Sequence, residues 1–143
     1  MFDQKSDETI DLSSVPIRAL SLSTRHQLSQ YLNGQQYIST ASGLSRDYRG
    51  IAQLMGFSYA IINSILRSTD PLSNLLEMYE NRSDANFSRL LEMIEKIERF
   101  DIIDDMTPVL FRDAKHYLNG NHFNPVSGMD LKQKIFTKRL KTL

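Results

Sequence analysis

Three histidines, His26, His116 and His122, are the first residues to test for metal or proton chemistry. They stand far apart in the chain, and none has another histidine one helical turn away. Solvation or packing is the better account of each. Asp101, Asp104 and Asp105 form a tighter set, and two neighbouring carboxylates can divide general acid and base work. Their position at the start of a helix gives a simpler reading. Asp101 complements the free N–H groups there, and the others are solvated. The glycines make neither G-x-x-x-x-G-K nor G-x-G-x-x-G, and no serine lies in G-x-S-x-G. With no cysteine, thiolate nucleophiles, thiolate metal sites and disulfides are excluded, which suits a reducing compartment. The expectation is a protein without catalytic site, metal or cofactor.

The elements that would position these residues are helices. Leu72, Leu75, Leu76 and Tyr79 recur at i, i+3, i+4 and i+7, and Phe87, Leu90, Leu91, Ile94 and Ile97 repeat the spacing. Each set draws one apolar stripe. Asp70-Pro71 marks a helix start, a side-chain acceptor followed by a residue that suits the first helical position. Upstream, a helix is expected from Thr24 to Asn33, capped by Ser23, with Leu28 and Leu32 inward. A second, capped by Ser45, carries Tyr48, Ile51, Ala52 and Met55 inward and stops at Gly56. A third, capped by Ser58, turns Ile61, Ile62, Ile65 and Leu66 inward. A sixth opens near Asp101 with Ile102, Ile103 and Met106. Pro108 should interrupt it, with Thr107 capping a restart that runs to Leu118. Met55 and Met106 lie on inward stripes; Met78 and Met93 are open between core and an adaptable surface. No period-2 alternation competes. The fold class expected is all-α, a six-helix antiparallel bundle with an extra C-terminal helical segment.

At 143 residues the chain suits one domain, and an apolar content of 41% supplies a core. Lysine and arginine match aspartate and glutamate at 17 each, so the basic excess of a nucleic-acid-binding domain is missing. No apolar run approaches the roughly 18 residues of a membrane span. Met1–Ser14 reads as a flexible leader without signal-peptide character. Asn119–Gly128 reads as a linker. Met129–Leu143 follows it, with five lysines and arginines against one aspartate. Its Leu131, Ile135, Phe136 and Leu140 would let a basic amphipathic helix make weak membrane contact. A linker fragment is the simpler account.

The run DPLSNLLEMYENR followed by FSRLLEMIEKIERFDII resembles helices four to six of the death domain of the myeloid differentiation primary response adaptor family, which joins Toll and interleukin-1 receptors to kinases. VPIRALSLSTRHQLSQYLN and DYRGIAQLMGFSYAIINSIL are similar to its first three helices. The likeness covers residues 15–118 in order. It implies a cytoplasmic, non-enzymatic adaptor, recruited to receptors at the membrane, that stacks with other death domains and clusters kinases. Three paired surfaces follow by position. In the first, Asn81, Arg82, Ser83, Asp84 and Asn86 face Glu98, Arg99, Phe100 and Asp101, with Arg99 exposed. In the second, Arg46, Arg49 and Gln53 face His26, Gln30, Glu77 and Glu80. In the third, Tyr59 and Asn63 face the Gln35–Gln36 and Arg67–Ser68 loops. Tyr48 and Tyr79 stand where the family favours Trp. Gln53-Leu54 replaces an acidic pair of the vertebrate form, which implies an invertebrate pathway with Tube-like and Pelle-like partners and self-association in the complex. The family's receptor-binding domain would lie beyond this fragment. A death domain of another adaptor or kinase in the pathway fits the same pattern. A helical nucleic-acid-binding domain is the reading from another class, and only Arg67 and Arg82 would serve it on helices three and four.

Overall fold

The computed structural model describes residues 9–120. Among them lie α1 (Leu22–Leu32), α2 (Tyr48–Leu54), α3 (Tyr59–Ile65), α4 (Pro71–Tyr79), α5 (Phe87–Lys96) and α6 (Phe100–Gly120), and no strand. Short 3-10 turns at Leu12–Ser14 and Ile17–Ala19 precede α1. The all-α expectation holds. Leu12–Leu110 form one compact unit. The second unit contributes, within the described residues, the distal part of α6, where Arg112 lies 3.5 Å from Asp113. The basic segment Met129–Leu143, and Met1 to Glu8 of the leader, lie outside the described residues.

The stripes read from periodicity form the core. Leu72, Leu75, Leu76 and Tyr79 of α4 are buried with Phe87, Leu90 and Ile94 of α5, Leu28 and Leu32 of α1, and Ile51, Ala52 and Met55 on and just after α2. Ile102 and Met106 complete it from α6, and Ile97 from the turn before. Met93 is core and Met78 is exposed, while Leu91 is only half-buried. The lead-in is sewn to the α4–α5 corner by two main-chain bonds at a Pro16–Asn86 bridge. Ile17 N–H donates to the Ala85 carbonyl and Phe87 N–H to the Val15 carbonyl, both at 2.9 Å. These bonds satisfy backbone groups that burial of Val15, Ile17 and Phe87 would otherwise strand.

Several helix ends differ from expectation. α1 begins at Leu22 and is capped by Ser21, whose Oγ accepts the Thr24 N–H at 3.1 Å, in place of Ser23. The first helical residue, Leu22, is an apolar side chain left in solvent, so periodicity alone does not mark it. α2 is capped by buried Asp47 in place of Ser45. α3 is capped by Ser58 as expected, but only Ile65 of its four apolar residues is buried. α2 closes on Gly56 at φ 89°, where Phe57 N–H reaches the Ala52 carbonyl and Gly56 N–H the Gln53 carbonyl, the expected glycine stop.

α6 does not restart at Pro108; it runs through it. The proline cannot donate to the carbonyl of Asp104. Pro108, Asp104 and Asp105 are all exposed, so water reaches that carbonyl. Thr107 does not cap. Its hydroxyl donates back to the Ile103 carbonyl at 2.6 Å, taking an acceptor of the preceding turn.

Candidate interaction surfaces

The α4–α5 corner is rigid at its base and polar at its tip. Asn86 caps α5 by accepting the Arg89 N–H at 2.8 Å. Arg82 is exposed, yet its tip turns back onto the chain: its Nη1 donates to the Met55 carbonyl, and its guanidinium lies 4.8 Å from the Phe57 ring centroid and 5.2 Å from that of Tyr79. Asp84 accepts from the Tyr79 hydroxyl at 3.0 Å. Burial first, and this bond second, push the Tyr79 phenol above its ordinary value. Asn81 and Ser83 lie at the exposed tip.

The α5–α6 junction turns on Glu98, which has φ 60°. Its N–H bonds the Glu95 carbonyl and the next N–H bonds that of Ile94, the helix stop that glycine usually makes. A side chain here carries local strain, and Glu98 uses its own to reach Arg46 at 2.8 Å. Arg99 is not exposed. Its side chain is 13% accessible, and it donates to the carbonyls of Arg46 at 2.8 Å and Tyr31 at 3.3 Å while pairing with Asp101 at 2.9 Å. That guanidinium holds the Asp101 carboxyl below its ordinary value. Phe100 stands beside it, 53% exposed.

The residues read as a second surface are also partly engaged within the chain. Arg46 precedes α2, and its pairing with Glu98 joins residues assigned to two different surfaces. Arg49 grips Asp47 through Nε at 3.0 Å and Nη2 at 2.7 Å, and this hydrogen bonding raises the already high guanidinium value. Asp47 also accepts the Gln36 N–H at 2.8 Å. Glu80 pairs with Arg25 at 2.9 Å, and Arg25 reaches on to the carbonyls of Ile17 and Leu20. Gln53, Glu77, His26 and Gln30 are exposed. On the third surface Tyr59 is 78% exposed, Asn63 is exposed, and Asn63 and Arg67 line a groove of about 390 Å³ with Ala60 and Ser64.

Sequence reasoning missed the α1–α2 loop tip. Tyr37 is 91% and Ile38 74% exposed, between Gln36 and the Thr40–Leu44 turn. Two adjacent large apolar residues in an otherwise small and polar stretch are the signal that could have found them. Asp101 and Asp105 are spent on Arg99 and on the Tyr31 hydroxyl. No group of three or more His, Asp or Glu suited to a metal occurs among the described residues. No described helix is long and apolar enough to cross a membrane.

A family model for the death domain matches residues 35–110, more than half of the 143-residue chain. The match covers α2 to α5 whole, with the loop before them, and ends at the last residue of the compact unit. With this match, and six helices among the described residues, the chain belongs to the death domain family, whose members are protein-interaction modules.

Proposed function

We propose that this chain is a signalling adaptor of the Toll pathway, whose death domain stacks with those of a Tube-like adaptor and Pelle-like, interleukin-1 receptor-associated kinases. The observation that carries this reading is the ordered run of similarity over residues 15–118, together with a surface whose corners are held rigid from within. Arg82, Arg46 and Arg99 brace the corners, leaving Asn81, Ser83, Phe100, Gln53 and Glu77 free to meet partners. Contacts of this size and polarity are individually modest, and stacking adds them. Kinases held in one stack reach a high effective concentration and phosphorylate one another. Gln53-Leu54, in place of the acidic pair of the vertebrate form, supports an invertebrate form of the pathway.

Light scattering on a sizing column, with the chain mixed with a kinase-side or Tube-like death domain, tests the proposal. A discrete complex heavier than one-to-one is expected. Two separate monomer peaks at micromolar concentration of both would refute the partner assignment.

A further inference from the structure

We propose that Tyr37, on the α1–α2 loop, is a site of tyrosine phosphorylation, and that its phosphate is clasped by Arg49, which closes the Arg46–Arg49 face to partners. The closing of that face rests on the assembly reading; the site and the clasp stand apart from it.

Of the described tyrosines, Tyr37 alone is both in water and outside a helix. Tyr48 and Tyr79 are buried, Tyr31 gives its hydroxyl to Asp105, and Tyr117 is half-buried within α6. Tyr59 is exposed but is the first residue of α3, so its backbone is helical. Tyr37 is 91% exposed. Among the described residues no main-chain bond holds Tyr37, Ile38 or Ser39, which lie between Gln36 and the Thr40–Leu44 turn. A kinase needs its acceptor on a segment that can be drawn out along the enzyme's cleft, and this loop supplies one without unfolding a helix. On a tyrosine kinase charged with magnesium ATP, the Tyr37 phenol oxygen attacks the γ-phosphorus and forms the new O–P bond. The bond from that phosphorus to the bridging oxygen breaks, ADP leaves, and the phenol proton passes to the kinase's base carboxylate.

The phosphate meets a cation that is already oriented. Nε and Nη2 of Arg49 hold the buried Asp47 at 3.0 Å and 2.7 Å. Nη2 also reaches the carbonyl of Gln36 at 3.3 Å, and the Gln36 N–H donates to Asp47 at 2.8 Å. The chain is thus pinned to the Arg49–Asp47 pair one residue ahead of the acceptor. Asp47 is the main cause of the raised Arg49 value, and the phenols of Tyr48 and Tyr37 add to it, so the Tyr37 oxygen stands within charge range of the guanidinium. Nη1 makes none of these bonds, and the Arg49 side chain is 33% accessible. A phosphotyrosine carries about −1.5 to −2 charge and three acceptor oxygens, which the open edge of an arginine fork suits. Asp47 opposes the phosphate, but it is buried and already spent on Arg49. Gly34–Leu44 carries no charged residue, so modification turns a neutral loop anionic and offsets the positive charge that Arg46 and Arg49 present.

The test starts with the whole chain, a tyrosine kinase of broad specificity and magnesium ATP, with sites mapped by mass spectrometry over time. Tyr37 should be modified about tenfold faster than Tyr59, whose helix must open first, and Tyr37→Phe should lose that fast phase. Equal or slower modification of Tyr37 overturns the site. The singly phosphorylated chain is then titrated by phosphorus NMR beside a phosphopeptide spanning residues 34–44. Its second ionisation should fall about half a pH unit or more below that of the peptide, because a guanidinium favours the dianion. Coincident titrations overturn the clasp. Affinity for the kinase-side death domain is measured before and after modification, and should weaken about fivefold or more. Unchanged affinity overturns the closing of the face and leaves the assembly reading standing. Failure of the unmodified chain to bind refutes the assembly reading and the closing with it, while the first two measurements still decide the site and the clasp.

Discussion

Arg99 donates its Nη1 to the main-chain oxygen of Arg46 at 2.8 Å, so two basic residues expected on two different interaction surfaces are joined within one molecule. The same nitrogen reaches the Tyr31 carbonyl, and Arg46 returns to Glu98 beside Arg99. One guanidinium thus ties the end of α1, the residue before the α2 cap and the α5–α6 turn. Arg99→Ala should therefore cost roughly 2–3 kcal/mol, because it strands two carbonyls and frees Asp101. Urea unfolding of wild type and variant measures it. A variant as stable as wild type would contradict the clamp.

Phe100 is the better probe of the same junction. More than half of its side chain is exposed, so Phe100→Ala should change stability by under about 0.5 kcal/mol. If the junction is an interface, affinity for the partner death domain should fall by about tenfold or more, as for an aromatic anchor. Titration calorimetry beside thermal unfolding separates the two effects.

Gly50 lies inside α2, where alanine would normally favour the helix by about 1 kcal/mol. A Cβ there would fall 1.9 Å from the Ser45 carbonyl oxygen and 2.9 Å from the Ile97 Cγ2. Because the nearer obstacle is main chain, Gly50→Ala should destabilise by about 3 kcal/mol despite the helical preference. Chemical denaturation gives the sign directly.

Asp70 accepts three bonds on one oxygen: Ser29 Oγ at 2.8 Å, Asn33 Nδ2 at 2.9 Å and the Ser73 N–H at 3.1 Å. Burial would raise its carboxyl, but these donors and the nearby His26 outweigh it, and the value falls below the ordinary 3.8. A depressed folded value adds stability that is full above the unfolded value and is lost as pH falls through the folded one. Asp70→Asn should therefore flatten the loss of stability below about pH 4. Melting temperatures across pH 2 to 7, on both proteins, would show parallel acid limbs if Asp70 played no such part.

Tyr48 buries a hydroxyl that has no hydrogen-bond partner. Tyr48→Phe should keep the packing and remove the stranded donor, raising stability by about 1 kcal/mol. A loss of stability on denaturation would mean the hydroxyl is satisfied in solution.

Much of the bundle was legible in the sequence because its cause is local. The α4 and α5 stripes repeat at the helical period, Asp70-Pro71 and Ser58 are start signals that need only the next turn, and Gly56 stops α2 because only its own φ must be positive. Asp47 as the α2 cap, Gly50 as a packing necessity, the turn of Arg99 and Arg82 back onto the chain, and α6 passing through Pro108 were not legible. Each depends on a group distant in sequence or on which side water lies: Gln36 for Asp47, Ile97 for Gly50, Tyr31 for Arg99, Met55 for Arg82, solvent for the Asp104 carbonyl. The exposed residues of the candidate surfaces divide the same way. Composition names charged and aromatic side chains, but only the packed chain decides which are spent on its own carbonyls and which, like Tyr37, Tyr59 and Phe100, remain in water. Periodicity fixes which face of a helix turns inward, whereas the pairing of a surface charge is settled by residues that folding alone brings near.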